Sequence, residues 1–397
     1  MWLLRGAARS CGPILVLFAV ALIFSHITLL RLLLPFRFII AECLVVGGLA
    51  SAAAWYFARR SAVGGFTQSI LLLSAVGGLI FGILQYRSES LAYHQTVISF
   101  DNQDAHLVGT LYIPNGDGPH AGIVIVHGAG RFPRCIYHMW ADHFVRTGYA
   151  VLLYDKRGVG GSSGHYEGEN NVSTANVELL ASDASAALRT LAAYPGVRPD
   201  AVGFWGVSQA GWIIPRAAVL NGHAAFMMIV SGPTTTTGEQ MEYARITGEH
   251  DPGTGMTPQE AERLMSERPP TGFDPVPDLE TLNIPGLWLQ GDHDWRIPAI
   301  KSVRILDRLI KESNRPYAYH VFPGAGHAIF LPRKKGERLI PELAPGYWQA
   351  MDDWLTHQTN PKTACNIRQR FCNAGILEPT TVYVPQKFAA CFRWIAH

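Results

Sequence analysis

Residues 201–212, Ala-Val-Gly-Phe-Trp-Gly-Val-Ser-Gln-Ala-Gly-Trp, constrain the fold more than any other stretch of this chain. An apolar run leads into a tight Gly-x-Ser-x-small turn and then a second apolar segment, which predicts a buried strand, a sharp turn and a helix. Such a turn strains the backbone of Ser208, and its neighbours two residues away must be tiny. Gly206 and Ala210 meet that need. The turn is expected to raise the Ser208 hydroxyl above the sheet, beside a helix N-terminus that favours negative charge.

A second and more literal Gly-x-Ser-x-Gly match lies at residues 160–164 and includes Ser162. It also follows an apolar run, but the residues after it, His-Tyr-Glu-Gly-Glu-Asn-Asn, are loop material and not a helix start. The required strand–turn–helix context therefore selects Ser208 as the candidate nucleophile and assigns Ser162 to a loop.

Short apolar segments alternate with helical segments from about residue 91 to residue 359. Strands are expected at 96–100, 106–114, 122–126, 150–154, 201–207, 226–230, 286–290 and 317–322, and helices at 135–146, 172–193 and 343–357, with a further helix after Ser208. This alternation predicts the α/β class, with a doubly wound and mostly parallel sheet. It is interrupted at about 233–281, where two helices (238–247 and 258–267) and a proline-rich linker predict a small helical lid above the C-terminal edge of the sheet. The alternative is a packing excursion without substrate contact.

Three long apolar runs occupy residues 12–30, 38–58 and 61–86. Each is long enough as a helix to cross about 30 Å of hydrocarbon. The alternatives are buried helices of a soluble protein and, for the first run, a signal peptide. We predict a membrane region over residues 1–90 with three transmembrane helices in contact with lipid. The protein would then be multi-pass. Four arginines on the side of the membrane that holds the N-terminus, against three on the opposite side, favour the orientation in which the residues after Tyr86 lie on the outer, periplasmic or extracytoplasmic, face.

Net charge and cysteine spacing exclude several classes of function. The formal charge is only +2, which gives no support for a nucleic-acid partner. The six cysteines show no metal-ligand spacing, so we expect no metal and no cofactor. The segment 360–397 has no clear period and no assigned role, although Cys365 and Cys372 could form a disulfide there.

A serine hydroxyl needs a general base, and the base needs an orienting acid. His327 follows the last predicted strand in a glycine-rich turn, which makes it a better base than His320 within that strand or His357 in the closing helix. For the acid, Asp292 and Asp294 compete after the strand at 286–290. Asp292 could instead bond backbone N–H groups of its loop.

An oxyanion site needs two N–H groups directed at one oxygen. Gln209 is expected to supply one from the helix start, and Ala129, in His127-Gly-Ala-Gly130, the other, with Gly130 as the alternative. His127 is interpreted as a structural loop residue. The charged loop at 154–160 lacks the Gly-Lys-Ser/Thr ending of a phosphate loop, so it is interpreted as a structural turn in which Asp155 and Arg157 bond neighbouring backbone.

These motifs resemble the α/β-hydrolase superfamily, in particular its bacterial esterase, dienelactone-hydrolase-like and serine-aminopeptidase-like branch. They cover about residues 97–357 in the family's order, with Ala210 where the elbow more often has glycine. They are the motifs at 127–130, 154–160, 206–212, 291–298 and 326–327. The resemblance implies the chain order Ser208, Asp294, His327 for a catalytic triad and resolves the choice between the aspartates in favour of Asp294.

The resemblance implies a serine hydrolase, and we expect its substrate to be a small-molecule carboxylic ester or other short acyl compound. Trp212 and Trp295 flank the expected triad and are candidates to line an acyl pocket. A peptidase or amidase is the alternative, with Glu239, Glu242 and Glu249 as the acids that could hold a peptide amine. A binding module that has lost its chemistry is a third possibility, disfavoured by the intact set of motifs.

Overall fold

The structure is a computed structural model that describes residues 92–168, 172–249, 256–335 and 338–359, together with the isolated positions Val76 and Ile80. The predicted membrane runs and the segment 360–397 lie outside the described residues, apart from Val76 and Ile80, which are helical and exposed. Within the described residues, no helix has the length and apolar character needed to cross a membrane.

Eight strands form one sheet in the order β1-β2-β4-β3-β5-β6-β7-β8. Their bounds are β1 Tyr93–Asn102, β2 Ala105–Pro114, β3 His120–Val126, β4 Ala150–Tyr154, β5 Val197–Val207, β6 Met227–Val230, β7 Gly286–Gly291 and β8 Tyr317–Phe322. Strand β2 pairs antiparallel with β4, whereas the pairs from β4 through β3, β5, β6 and β7 to β8 are parallel. The prediction of an α/β protein with a mostly parallel sheet is confirmed, and the fold is that of the α/β hydrolases.

The helices of the described chain follow the predicted alternation closely. They are α1 His138–Arg146, α2 Thr174–Ala192, α3 Ala210–Asn221, α4 Thr237–Thr247, α5 Pro258–Met265, α6 Val276–Thr281, α7 Ala299–Lys311 and α8 Tyr347–Thr359. Helix α1 belongs with residues 113–116 and Tyr93–His94 to a separate compact unit, where the Tyr93 hydroxyl donates to Asp142 at 3.0 Å.

Helices cover both faces of the sheet at β5, the strand that leads into the Ser208 turn. The indole N–H of Trp205 lies 3.4 Å from the sulfur of Met351 in α8. A side chain at Gly206 would instead point into Ile214 of α3, with its Cβ only 2.9 Å from that residue's Cδ1. Because successive strand residues face opposite sides, α3 and α8 lie on opposite faces. The strand is therefore buried on both sides, which explains its continuous apolar sequence.

A two-stranded antiparallel hairpin between β8 and α8 was not predicted. It consists of β9 Phe330–Lys335 and β10 Arg338–Leu343, and its register places Pro332 opposite Pro341. Proline within a segment weakens a strand signal, yet it is tolerated where a strand has a free edge. The expected helix at 343–357 accordingly begins later, at Tyr347, and the prediction of its start was wrong.

Candidate active site

Ser208 lies at the sharp turn between β5 and α3 and has a positive φ of 58°. This left-handed conformation is uncommon for a residue other than glycine. A Cβ placed on Gly206 would lie 2.5 Å from the Cβ of Ala210 and 2.7 Å from the Val126 carbonyl oxygen. Position 206 must therefore be glycine, and Ala210 is already as large as the turn accepts. The turn has the strained geometry expected of a nucleophile elbow.

Backbone hydrogen bonds continue past the ends of the parallel strands and bring several loops to one edge of the sheet. The Ser208 N–H donates to the Val230 carbonyl at 2.9 Å, and the Ser231 N–H donates to Leu289 at 2.8 Å. His293 N–H in turn donates to Ala325 at 3.0 Å, joining the loops after β7 and β8. The residues after β5, β6, β7 and β8 therefore lie side by side, as ligand-binding loops of parallel sheets do.

The structure brings Asp294 and His327 together. Asp294 is buried, and its Oδ2 lies 2.9 Å from Nδ1 of His327. Its other oxygen, Oδ1, accepts hydrogen bonds from the backbone N–H groups of Arg296 (2.8 Å) and Ile297 (3.0 Å). A carboxylate held by three donors has one orientation, so it sets the orientation of the imidazole that it contacts.

Asp292, the competing acid, has a different partner. Its Oδ1 accepts a hydrogen bond from the Gly324 N–H at 2.6 Å, which ties the loop after β7 to the turn after β8. This is the bracing of the loop that the sequence offered as the alternative for Asp292.

The loop that carries His327 is held by a residue that the sequence analysis did not identify. Ala328 and Ile329 both have positive φ values, 56° and 63°, although neither is glycine. The Ala328 N–H donates to the hydroxyl of Ser231, which is fully buried at the end of β6, at 3.0 Å. This contact offsets part of the backbone strain and holds the loop over the sheet edge. A polar residue directly after an apolar strand was the only signal that could have indicated it.

Ser208 follows β5 and His327 comes after β8, at the same edge of the sheet. Among the hydrogen bonds of the described residues, none joins their side chains. Ser208 is partly exposed, whereas the His327 side chain is 17% exposed. In enzymes without substrate such hydrogen bonds are often long and tighten only in the reacting complex.

The loop after β3 approaches Ser208 closely at Gly128. A Cβ at this position would lie 3.4 Å from the Cβ of Ser208 and 3.2 Å from the Val207 carbonyl oxygen. The Gly128 N–H donates to the hydroxyl of Tyr137 at 2.8 Å. Within the described part of the chain, the N–H groups of Ala129 and Gly130 have no acceptor, so both remain available for a ligand. Gln209 directly follows Ser208 and precedes the first residue of α3.

His127, at the start of this loop, is buried and packs on Tyr137 with ring centroids 4.5 Å apart. Burial, and secondarily the nearby Lys156 charge, lower the pKa of His127 to about 3. The imidazole is therefore neutral at physiological pH. Burial also raises the pKa of Tyr137 to about 12, which keeps its hydroxyl protonated. Both residues serve as uncharged supports of the loop.

Ser162 is buried and both of its hydrogen-bonding capacities are used. Its hydroxyl donates to the Asp155 carbonyl at 2.8 Å and accepts from the Val108 N–H at 2.9 Å. Asp155 accepts from the Gly161 N–H at 2.9 Å and pairs with Arg134, as a turn residue would. Arg157 departs from the prediction, because its guanidinium binds the carboxylates of Asp183 and Asp104 and not neighbouring backbone.

The two tryptophans differ in their surroundings. Trp212 is a core residue: it packs with Val177 and Phe273, is 2% exposed, and donates its indole N–H to the Thr235 carbonyl at 2.8 Å. Contact between Trp212 and a substrate would need a rearrangement of this core. Trp295 is partly exposed in the loop that carries Asp294. Among the residues that the structure describes, no group of three or more His, Cys, Asp or Glu side chains is placed to hold a metal ion.

Comparison with known proteins places the chain among serine hydrolases. Residues 137–344, more than half of the chain, match the prolyl oligopeptidase family. An uncharacterized protein of Mycobacterium tuberculosis, Rv2307c, is 26% identical over 227 residues, which cover 57% of this chain and 70% of that protein. The thiohydrolase aneE of Aspergillus aculeatus is 33% identical over 105 residues, or 26% of this chain and 31% of that one. The structure of a Pyrococcus furiosus esterase is also similar, with a TM-score of 0.46 and 17% identity, and the match covers 68% of this chain and 91% of that chain. The chain belongs to the prolyl oligopeptidase family of serine hydrolases.

Proposed function

We propose that the protein hydrolyses a carboxylic ester in two steps through an acyl-enzyme on Ser208. The Ser208 oxygen attacks the ester carbonyl while His327 takes its proton. His327 then returns that proton to the departing alcohol oxygen, and water releases the acyl group by the same route in reverse. Asp294 holds the imidazole in the tautomer whose Nε2 can accept a proton, because its carboxylate occupies Nδ1 at 2.9 Å.

The negative oxygen of the tetrahedral intermediates is assigned to the N–H groups of Gln209 and Ala129. The observation that supports Ala129 is its N–H without an acceptor among the described residues, in a loop that leaves little room for a side chain between Gly128 and Ser208. Removing one such donor typically costs about 10²- to 10³-fold in kcat.

The preference for an ester over a peptide rests on the state of two of the three acids that the sequence offers for a peptide amine, Glu239 and Glu242. Glu239 pairs with Lys301 and also completes the capping box of α4, and Glu242 pairs with Arg245 and Arg268. Carboxylates neutralised in this way offer little attraction to a peptide ammonium group. An ester has no such group to bind, so the paired acids favour the ester.

A peptidase or amidase is the second candidate, and the family match itself favours it, since the family is named for an oligopeptidase. The two functions share the same nucleophile and differ in the leaving group, which must be protonated when it is an amine. The name of the Aspergillus relative adds thioesters to the substrates worth testing.

The first experiment is labelling with a fluorophosphonate probe. We expect the native chain and Ser162→Ala to be labelled and Ser208→Ala to remain unlabelled. Hydrolysis of p-nitrophenyl esters of increasing acyl length, the corresponding thioesters and aminoacyl p-nitroanilides then separates the two candidates. Faster turnover of the anilides than of every ester would reject the ester proposal. Label that disappears in Ser162→Ala alone would reject the choice of serine.

Trp295 is proposed to contact the acyl chain, because it is partly exposed in the loop that carries Asp294. Trp295→Ala should change the preference for acyl length. An unchanged preference across the ester series would count against this contact.

Attachment to a membrane through residues 1–90 is proposed from the apolar runs alone. A reporter that is active only in the cytoplasm, fused after Leu91, should be inactive if the hydrolase part lies on the outer face. An active reporter would indicate the opposite orientation, with the hydrolase part in the cytoplasm. Recovery of the full chain in the soluble fraction would reject the membrane region.

A further inference from the structure

Lys156 is a buried cation behind the proposed oxyanion site, and the two-step mechanism does not use it. Its ammonium group donates to three acceptors: the carbonyl oxygens of Gly128 and Gly130 (3.5 Å to the latter) and the side-chain oxygen of Gln209 (2.9 Å). An ammonium has three N–H donors and no acceptor, so its hydrogen-bonding capacity matches this set of acceptors.

The hydrogen bond to Gly128 determines where the Ala129 N–H points. The two groups belong to the same peptide unit, and in a planar trans peptide the C=O and N–H point in opposite directions. With the Gly128 carbonyl directed at Lys156, the Ala129 N–H is directed away from it. The third hydrogen bond of Lys156 restrains the side chain of Gln209. The backbone N–H of Gln209 is the other proposed donor to the oxyanion. One side chain thus bonds the peptide unit that carries the Ala129 N–H and the side chain of Gln209.

Lys156 is 3% exposed, and among the described residues no ion pair joins its ammonium group to a carboxylate within 4 Å. A buried charge without a partner of opposite sign is costly to fold around. A negative charge would arise one peptide unit away only when the tetrahedral oxyanion forms. The cation would then gain its missing counter-charge in the transition state and not in the resting enzyme.

We propose that Lys156 is a positioning residue that aligns the Ala129 and Gln209 N–H groups and stabilises the oxyanion through them. The inference rests on the proposed function of Ser208. The groups around the ammonium are the neutral His127, the ring of Tyr166 at 5.6 Å and the Arg131 guanidinium. Burial, and secondarily Arg131, lower the pKa of Lys156 to about 7.

The test compares Lys156→Met, Lys156→Arg and the control Lys311→Met in the full chain. Lys311 is the last residue of α7, where its largely exposed side chain pairs with Asp307, so its variant controls for the loss of a lysine charge. We expect Lys156→Met to lose about 10²- to 10³-fold in kcat on the best p-nitrophenyl ester with KM changed less than about threefold. A trifluoromethyl ketone adds the Ser208 oxygen to its carbonyl carbon and leaves an oxyanion, so its affinity should fall by the same factor as kcat/KM. Lys311→Met should match the native enzyme in both measurements.

The pH profile gives a second readout that does not depend on the methionine variant being stably folded. Native kcat/KM should decline above about pH 7 as Lys156 of the free enzyme loses its proton, whereas in Lys156→Arg, which stays charged, the decline should be absent. Native-like kcat and ketone affinity in a folded Lys156→Met would overturn the inference and leave the proposed function standing. The same alkaline decline in Lys156→Arg as in the native enzyme would also overturn it. Absence of fluorophosphonate labelling in the native chain would instead reject the proposed function, and the inference with it.

Discussion

At the scale of single residues, Asp292 and Asp294 are two residues apart in the chain and have different partners. Asp294 is buried against His327 and two backbone N–H groups, whereas Asp292 bonds the Gly324 N–H. Each arrangement needs the turn after β8 to lie beside the loop after β7. A Cβ on Gly291 would lie 2.2 Å from the Ala325 carbonyl oxygen, so only glycine permits this approach.

The two aspartates give a matched pair of variants. We predict that Asp294→Asn lowers kcat by about 10³- to 10⁴-fold, because an amide no longer selects the required His327 tautomer. Asp292→Asn should keep most of the activity and lose about 1 kcal/mol of unfolding free energy, since it weakens one charge-assisted hydrogen bond to the backbone. Ester turnover and urea unfolding of both variants check this. The reverse ranking of activities would assign the orienting acid to Asp292.

The buried imidazole of His127 should make the free energy of unfolding depend on pH. Burial lowers its folded-state pKa to about 3, below the ordinary value of 6.5, so the unfolded chain binds its proton more readily. The stability that neutral His127 contributes is therefore complete above pH 6.5 and is lost as the pH falls from 6.5 toward 3. The loss between pH 6.5 and 5 is about 1.5 kcal/mol. His127→Phe should remove it, and the difference between the native and variant unfolding curves at the two pH values measures it. Parallel curves would contradict the prediction.

At the scale of elements, the insertion between β6 and β7 is attached to the loop that carries Asp294. One face of α4 presents Gln240, Tyr243 and Thr247, at helical spacing. These side chains donate to three consecutive carbonyl oxygens, those of Arg296 (2.9 Å), Asp294 (2.8 Å) and Trp295. Tyr243 also packs in a buried cluster with Ala261 and Met265 of α5. The predicted lid helix thus supports the backbone of Asp294, the proposed orienting acid.

Removing one of these contacts should affect both stability and activity. Tyr243→Phe leaves the packing intact but removes the hydroxyl that bonds Asp294, and we expect a loss of about 1 kcal/mol in unfolding free energy and a several-fold fall in kcat. The control is Met241→Ala on the exposed side of the same helix, which should match the native enzyme. Equal effects of the two variants on kcat would show that α4 does not position Asp294.

At the scale of the whole sheet, Arg157 joins three parts of the chain. Its buried guanidinium makes two hydrogen bonds to Asp183 of α2, at 2.8 and 2.7 Å, and one to Asp104 between β1 and β2, at 2.9 Å. Asn102 donates to the same Asp183 carboxylate at 2.8 Å. The loop that contains Lys156 is therefore tied to a helix on the face of the sheet and to its outermost hairpin.

The two partners of Arg157 differ in burial, which yields a second matched pair. Asp183→Ala leaves a buried guanidinium without its main partner, and we expect a loss of about 3–5 kcal/mol in unfolding free energy. Asp104 is largely exposed, so Asp104→Ala should leave the urea midpoint close to native. Similar midpoints for the two variants would indicate that this buried pair contributes little to the fold.

The sequence by itself was sufficient to predict the order of the strands and helices of the sheet. Parallel strands that are buried on both faces need continuous apolar runs, and such runs can be recognised in the sequence without knowledge of the fold. It was also sufficient to prefer Ser208 over Ser162, since strand–turn–helix context is local. It failed at the β9–β10 hairpin, where prolines conceal the strands and pairing depends on the opposite strand.

Only the tertiary structure decided which polar groups meet. The contact of Asp294 with His327, the support of the His327 loop by Ser231 and the bonds of Lys156 to Gly128 and Gln209 join residues 28 to 97 positions apart. No local pattern encodes such distances, because hydrogen bonds depend on side-chain positions that the packed sheet alone defines. From the sequence, Lys156 is part of a charged structural turn at 154–160. In the folded protein its ammonium group is buried behind the proposed oxyanion site, and no carboxylate of the described residues pairs with it.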